Sequence, residues 1–239
     1  NMLVDKMNSL LNIFNGTDML IAAHCEDQET IKNNIEKYKQ KYKGADDIPV
    51  SAHPSIRSVP ACYASSELAV RLAKIAGARL HILHVSTAKE LQLFSDEPLA
   101  SKNITAEACV AHLLFTLTHY NSLGTRIKCN PAVKRKTDRE ALRAAVNSGL
   151  IDVIATDHAP HLLNEKEGGA LKAMSGMPMI QFSLVSMLEL VDEGVFSLET
   201  VVQKMCHAPA RIYGICHRGY IREGYQADLV LVRPNSPWE

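Results

Sequence analysis

The chain has 239 residues, of which 46% are hydrophobic, enough to bury one large domain or two small ones. Its 26 Lys and Arg residues balance 26 Asp and Glu residues, which excludes a net field that attracts nucleic acid or an anionic membrane and favours a small, locally charged ligand. No segment approaches the roughly 18 apolar residues that span a bilayer, and the six cysteines form no CxxC pair, so we expect a soluble cytoplasmic protein without a disulfide framework or a thiolate zinc site.

Strand and helix signals alternate through the first third of the chain. The run MLIAAH at 19–24 predicts a buried strand, and the charged pattern at 27–42 predicts a helix after it. Small and apolar residues at helical spacing predict a second helix over 58–77 that ends at Gly77. The run RLHILHVS at 79–86 predicts the second strand.

The middle of the chain continues this alternation. A T-x-x-E capping box at 87–90 predicts a helix directly after the second strand, and residues 103–115 predict a strand that runs into a helix. A short extended piece is expected at 126–131. A second capping box at 137–140 opens another predicted helix, and the apolar run at 151–157 predicts the next strand.

The last third begins with a polar, glycine-containing loop at 162–177. Helices are predicted over 179–194 and 197–215, and the run ADLVLV at 227–232 predicts a last strand. Buried strands that alternate with helices predict a parallel sheet with helices around it, either an open doubly wound sheet or a (β/α)8 barrel. No glycine-rich phosphate-binding motif follows any strand, so the sequence offers no support for nucleotide binding.

Polar residues follow three of the predicted strands at the point where each strand ends. These residues are His24, His84 and Asp157. In barrel enzymes the catalytic groups cluster at the carboxyl ends of the strands. Two imidazoles and a carboxylate suit a divalent ion such as zinc, with a coordination position left open for water. Each residue also has a structural alternative. His24 and His84 can each be a hydrogen-bonded structural histidine, and Asp157 can be a helix cap or a turn residue.

The remaining histidines have no such setting. His81 precedes His84 by three residues, so on a regular strand it faces the other side, and we expect it to pack against the outer helices. The others are assigned structural roles, His53 being the least certain; they are His53, His112, His119, His207 and His217. Asn130 either shapes a turn or presents its amide to a planar substrate. Residues 134–136 are expected to be a solvated charge run.

Four motifs then carry a resemblance to a known family. AAHCED, HILHVST, IKCNPAVK and IATDHAPH, in this order, resemble the second half of a dihydroorotase of the amidohydrolase superfamily, and TDHAPH is the most specific of them. The resemblance covers nearly the whole chain. It implies about strands 5–8 of a metal-dependent (β/α)8 TIM barrel at residues 1–217, and the return to a small β-sandwich domain at residues 218–239.

The resemblance also implies an activity and a set of roles. Dihydroorotases interconvert N-carbamoyl-L-aspartate and L-dihydroorotate in pyrimidine biosynthesis, with one or two zinc ions or another divalent metal. His24 and His84 match metal ligands, and Asp157 matches a residue that is both metal ligand and proton shuttle. Asn130, His161 and the backbone near Gly176 match groups that hold the substrate.

Two departures from the family pattern affect these expectations. Residues 130–134 read NPAVK, where many bacterial relatives have N-P-P-L-R, which puts a bidentate arginine role there in doubt. The family's first-strand H-x-H pair, the arginine behind it and the metal-bridging residue would all lie upstream of Asn1. We therefore expect the chain to be part of a longer protein and to be inactive alone, because an unclosed half-barrel exposes strand edges. No role is assigned to His158.

Three alternatives compete with a dihydroorotase. The first is a hydantoinase- or allantoinase-like cyclic amidase, against which His161 and its A-P-H context favour dihydroorotase. The second is a non-catalytic scaffold for aspartate transcarbamoylase, which would be expected to lose the metal ligands that this chain keeps. The third is an α/β protein whose polar strand ends are coincidental.

The expected partners are a small-molecule substrate and a second copy of the chain.

Overall fold

Four parallel strands form one sheet in which neighbours along the chain are also neighbours in space. The computed structural model describes residues 7–234, and its strands are Ile21–Ala23 (β1), Leu80–Ile82 (β2), Ile104–Cys109 (β3) and Val153–Ala155 (β4). The strand order is β1-β2-β3-β4, with every pair parallel. An open doubly wound sheet reverses its strand order at a switch point, whereas a barrel adds each strand to the same side, so the sequential order supports the predicted half-barrel.

Helices connect the strands and precede the first one. Within residues 7–234 the α-helices are Met7–Asn15 (α1), Gln28–Lys41 (α2), His53–Ile56 (α3), Val59–Ala76 (α4), Val110–Leu114 (α5), Tyr120–Leu123 (α6), Lys136–Ser148 (α7), Ile180–Asp192 (α8), Leu198–Val202 (α9) and Ala208–Ile212 (α10). No helix in this part of the chain is long and apolar enough to cross a membrane.

The two longest helices, α2 and α4, begin and end where the sequence predicts. The Asp27 carboxylate caps α2 by accepting the N–H of Thr30 at 2.7 Å. Pro60 occupies the first turn of α4, where its missing N–H costs nothing. The helix ends at Gly77, whose φ of 64° lies in the left-handed region that glycine adopts without strain.

The two faces of β2 have different surroundings. Leu80 and Ile82 are fully buried in the apolar cluster that also contains Leu72 of α4, and burial of such side chains contributes about 1.5–3 kcal/mol each. His81 lies on the other face, where its Nδ1 is 2.7 Å from the Thr105 hydroxyl and its Nε2 is 3.1 Å from Glu107. His81 was expected to pack against the outer helices. Its ring does lie edge to face with that of Tyr213, at the end of α10, with centroids 5.6 Å apart, but the face of β2 that packs against α4 is that of Leu80 and Ile82.

The two capping boxes behave differently from the prediction. At 87–90 the hydrogen bond from Glu90 N to Thr87 forms, but the helix is a single 3-10 turn, Glu90–Leu93. The Glu90 carboxylate is buried and accepts the hydroxyls of Ser66 and Thr87 at 2.7 and 2.8 Å. Helix α7 forms as expected, but Asp138 rather than Glu140 binds the backbone N–H before it, at Arg135.

Two predicted extended segments differ in the structure. Residues 126–131 contain the end of a 3-10 turn, Gly124–Ile127, and a cis peptide bond between Asn130 and Pro131. Residues 227–232 form no strand, and Leu231 is fully exposed. A strand is stabilised by a neighbour's backbone groups, and none of the four strands in the described range lies beside this segment. The proposed boundary between residues 217 and 218 stays a prediction.

Candidate metal centre and active site

Two predicted metal ligands meet at the carboxyl ends of neighbouring strands. His24 follows β1 directly and His84 follows β2 by two residues. Their rings lie edge to face with centroids 4.6 Å apart, and His24 Nδ1 is 2.8 Å from His84 Nε2. The parallel pairing of the two strands causes this meeting, since it brings both carboxyl ends to one edge of the sheet.

His84 has the properties of a neutral ligand. Burial, followed by the neighbouring His24, lowers its pKa to about 3, so the ring stays in the unprotonated form that binds metals. Its Nδ1 is buried without a hydrogen-bond partner among residues 7–234. Its φ of 39° lies in the left-handed region, which is rare for residues other than glycine and marks functional sites.

Asp157 shares this backbone feature at the end of the fourth strand. It follows β4 by two residues and has a φ of 45°. Desolvation by the surrounding protein atoms and then the Glu107 carboxylate raise the pKa of Asp157, although the residue remains open to solvent. A carboxylate with a raised pKa is suited to accepting and returning a proton.

Two imidazoles and one carboxylate fit a divalent ion by the chemistry of the donor set. The ring nitrogens that would bind such an ion are His24 Nδ1 and His84 Nε2, because these two face each other. The structure pairs His24 with His84 but does not add Asp157 to that pair: no three His, Cys, Asp or Glu side chains within residues 7–234 are grouped closely enough to hold an ion.

Glu26 and Arg57 complete the surroundings of His24 and were not predicted from the sequence. His24 Nε2 is 3.1 Å from a Glu26 carboxylate oxygen, and the Arg57 guanidinium binds the same oxygen. Burial opposes the charge of Glu26, but the hydrogen bond to His24 and the charge of Arg57 lower its pKa overall. A carboxylate two residues beyond a strand-end histidine was the available signal.

Glu107 was also missed, although it lies inside a predicted strand. One carboxylate oxygen accepts the backbone N–H of His84 at 3.3 Å, and the other is 3.1 Å from Nε2 of His81. Glu107 therefore fixes the backbone of a candidate ligand and also raises the pKa of Asp157. A glutamate within an otherwise apolar and buried strand was the sequence signal for this role.

Asn130 lies in a segment whose backbone is braced on both sides. His53 Nε2 donates to the carbonyl of Cys129, and His112 Nε2 donates to the carbonyl of Pro131, each at 2.9 Å. The carbonyl oxygen of the Asn130 side chain is buried and has no partner among the described residues. An unsatisfied acceptor on a braced backbone is available to a ligand.

Lys134 corrects the expectation of a solvated charge run at residues 134–136. It is only 5% exposed, and its ammonium binds the carbonyl of Ala132 at 2.9 Å. Arg135 and Lys136 are exposed, as expected.

The other predicted substrate residues lie together in the loop after β4. His161 Nε2 is 3.2 Å from the carbonyl of Ser175. Gly176 has a φ of 147°, and a Cβ there would lie 2.4 Å from the carbonyl oxygen of Ala159 and 3.1 Å from His161. Only glycine fits this close approach.

His158 now has a structural role. Its Nδ1 accepts the backbone N–H of Ile180, the first residue of α8, at 3.1 Å. This satisfies one of the unpaired donors at the start of the helix. The histidine that the sequence left unassigned is therefore a helix cap.

The fold and the site together define half of a parallel barrel whose polar side chains gather at the carboxyl ends of its strands. The amidohydrolase family matches residues 4–239, and the chain belongs to that family. Members of the family are generally metal-dependent hydrolases.

The relatives that match this chain include a dihydroorotase, an allantoinase and a hydantoinase. A dihydroorotase of Geobacter metallireducens is 31% identical over 97% of this chain and 53% of its own length. An allantoinase of Bacillus velezensis is 29% identical over 90% of this chain and 47% of its own length. The chain thus spans about half the length of the curated relatives it matches. Among solved structures, the L-hydantoinase (dihydropyrimidinase) of Arthrobacter aurescens superposes with a TM-score of 0.85 at 27% identity, covering 93% of this chain and 50% of that one.

Proposed function

We propose that this chain carries the metal-binding and substrate-binding residues of one half of a dihydroorotase barrel, and that the enzyme interconverts L-dihydroorotate and N-carbamoyl-L-aspartate in pyrimidine biosynthesis. The observation that carries the proposal is the 2.8 Å approach of His24 to His84. The similarity to dihydroorotases over nearly the whole chain supports the choice of substrate.

His24, His84 and Asp157 would hold the ion, which we propose to be zinc. When bound, a divalent ion provides a nucleophilic water at neutral pH by lowering that water's pKa toward about 7. His84 contributes a neutral ring, because burial keeps its pKa near 3. Glu26 accepts a hydrogen bond from His24 and orients that ring.

Asp157 moves the proton in this proposal. In ring opening, one of its carboxylate oxygens accepts a proton from the attacking water and returns it to the amide nitrogen that leaves. In ring closure the same carboxyl group starts protonated. Because burial and Glu107 raise the pKa of Asp157, its protonated form is easier to reach than that of an ordinary aspartate.

Asn130, His161 and the backbone at Gly176 hold the substrate. The unpartnered side-chain oxygen of Asn130 can accept a ring N–H. Because Nε2 of His161 donates to the carbonyl of Ser175, its other ring nitrogen, Nδ1, is the atom that we assign to the substrate carboxylate, together with the backbone of the adjoining Gly176 loop. Correct placement of a cyclic amide against the attacking water contributes to the rate as much as charge does.

The experiment compares turnover of L-dihydroorotate, hydantoin and allantoin by the intact natural protein that contains this sequence. We expect dihydroorotate to have the highest kcat/KM. Asp157→Asn should lower kcat by about 10²-fold or more, since general acid-base catalysis contributes about 10²–10⁴-fold. Asp46→Asn is the control, because Asp46 is an exposed partner of Lys172.

The result discriminates between the candidates. Preferred turnover of hydantoin or allantoin would replace the substrate assignment, and a protein that binds less than one equivalent of metal and turns over none of the three would favour the scaffold. A homodimer, an association with aspartate transcarbamoylase, a cytoplasmic location and the inactivity of residues 1–239 alone stay predictions.

A further inference from the structure

Four successive carbonyl groups in the loop after β4 each accept a side-chain N–H. They belong to residues 173–176. Lys128 donates to the first, Lys166 donates to the second and fourth at 2.9 and 2.8 Å, and His161 donates to the third at 3.2 Å. Carbonyl groups in surface loops often bind water. Here four in succession instead bind side chains of the protein, which restrains the loop.

Lys166 links this loop to a second segment. Its ammonium also donates to the carbonyl of Lys128 at 3.0 Å, and the backbone N–H of Gly176 donates to that same carbonyl at 2.8 Å. A lysine ammonium has three protons, so Lys166 directs all three to backbone oxygens. Lys128 lies two residues before Asn130, so one buried cation joins the segment of Asn130 to the loop of Gly176.

The three hydrogen bonds of Lys166 offset the free-energy cost of burying its charge. Lys166 is 7% exposed, and no carboxylate within residues 7–234 forms an ion pair with it. Burial lowers its pKa, as expected for a desolvated cation. Removing an ammonium from water is unfavourable unless hydrogen bonds compensate, and here the dipoles of three carbonyl groups do so.

Peptide planarity extends the effect of these bonds to the loop's surface. In a trans peptide the C=O and the next N–H point in opposite directions. Fixing the carbonyls of Met174 and Gly176 therefore also fixes the N–H groups of Ser175 and Met177. Without Lys166, the peptide groups that contain the carbonyls of Met174 and Gly176 would lose this restraint. The loop would then be tied to the segment of Asn130 by the bonds from Lys128 to Ala173 and from Gly176 to Lys128.

We propose that Lys166 is a positioning residue that sets the distance between Asn130 and the Gly176 loop, and through it the affinity for the cyclic substrate. This inference rests on the proposed function, which assigns both segments to substrate binding. Lys166 does not contact the metal ligands in this structure, so its effect should fall on KM and leave metal binding unchanged.

The test substitutes Lys166 in the intact natural protein. Lys166→Met keeps an unbranched side chain of similar length and removes the three donors. We expect KM to rise about 10- to 100-fold, because small misplacements of substrate-binding groups have effects of this size. The change in kcat should stay within about threefold and the metal content should not change. Lys166→Arg retains N–H donors and should recover part of the loss.

Lys172→Met is the matched control, because Lys172 lies in the same loop but is exposed, and its ammonium binds only Asp46 among the described residues. Its KM should equal that of the wild type. A Lys166→Met protein with a wild-type KM, or one that loses kcat and metal in parallel with the rise in KM, would overturn the proposal.

A second measurement does not depend on the substrate or on the folding of a variant. In the wild-type protein, the ammonium protons of Lys166 should give an NMR signal that exchanges with water more slowly than that of the exposed Lys39. Rapid exchange would contradict the three hydrogen bonds. If wild-type protein prefers another cyclic amide, the proposed function fails, while the KM ratio measured on that amide still tests the role of Lys166.

Discussion

The imidazoles of His24 and His84 are separated by 60 residues in the chain, yet Nδ1 of the first lies 2.8 Å from Nε2 of the second. Two ring nitrogens at this distance share one proton in a hydrogen bond. To bind one zinc ion in its place, the rings would turn slightly apart, because nitrogens about 2.0–2.1 Å from a tetrahedral ion lie roughly 3.3 Å from each other. His84 is held in this position by a left-handed backbone and by the Glu107 carboxylate on its N–H. The pair is therefore the position at which we propose that a metal binds.

Metal content should depend on His84 in particular. We expect His84→Asn to reduce the bound divalent ion in the intact natural protein to less than half of the wild-type amount, measured by elemental analysis, because a neutral nitrogen ligand is lost. Asparagine tolerates the positive φ at this position. His217→Asn is the control, since His217 also has a positive φ, 56°, and is exposed. Equal metal content in the two variants would contradict the assignment.

Substitution of the two histidines in the TDHAPH block should affect different properties, stability for His158 and KM for His161. His158→Ala removes the acceptor for the first N–H of α8, so we expect the free energy of unfolding to fall by about 0.5–2 kcal/mol, as for other lost helix caps, with KM unchanged. His161→Ala should instead raise KM. Urea denaturation and steady-state kinetics on both variants check this, and a larger KM effect at His158 would reverse the two roles.

Two buried histidines should make stability depend on pH. Burial lowers the pKa of His53 to about 3 and that of His112 to about 4, whereas the unfolded chain takes up these protons near pH 6.5. Because the unfolded state then binds more protons, the free energy of unfolding should fall as the pH drops from about 6.5 toward 4, by up to about 1.4 kcal/mol per pH unit for each group.

The variant His53→Gln tests this pH dependence. Glutamine can keep a donor for the carbonyl of Cys129 but does not titrate, so urea denaturation at several pH values should show a shallower slope than in the wild type. His217→Asn leaves both buried imidazoles in place and should keep the wild-type slope. An unchanged slope for His53→Gln would show that its ring is protonated or exposed in the folded state.

Two neighbouring aspartates should differ in their effect on stability. The Asp47 carboxylate accepts four backbone N–H groups, those of Ile48, Gly169, Leu171 and Lys172, at 2.7, 2.7, 3.2 and 3.0 Å. Within residues 7–234, the Asp46 carboxylate binds only the exposed ammonium of Lys172. We expect Asp47→Ala to lower the free energy of unfolding by about 1–3 kcal/mol, because hydrogen bonds to charged groups are strong.

The control for this pair is Asp46→Ala, for which we expect a change within about 0.5 kcal/mol, as for other exposed ion pairs. Proteolysis of the loop at residues 168–172 gives a second measurement, since a released loop is cleaved faster. Equal stability of the two alanine variants would show that the backbone bonds to Asp47 contribute nothing.

Sequence patterns correctly predicted those helices and strands whose residue spacing and end residues are themselves sufficient to specify them. Helix α4 and its end at Gly77 follow from spacing and from glycine's access to the left-handed region. The strand-to-helix passage at β3 and α5 was also confirmed. The strand expected at 227–232 did not form, because a strand depends on a neighbour that the local sequence does not specify.

The side chains that support the site were largely invisible to sequence reasoning. His53 and His112 read as isolated histidines, and Lys134 read as part of a charged surface run. Each of them binds a backbone carbonyl close to Asn130. Backbone acceptors leave no mark in the sequence, so only coordinates reveal why these polar residues are buried.

By itself the sequence determined the family, the alternation of strands and helices, and the identity of His24, His84 and Asp157 as strand-end residues, because periodicity and residue type are local properties of the chain. Only the tertiary structure decided that the first two lie in contact, and that Asp157 does not complete a group of three candidate ligands among residues 7–234. It also decided that His158 caps a helix and that Lys166 joins two loops. Those relationships depend on strand order and on backbone groups brought together from distant parts of the chain, and no residue pattern records them.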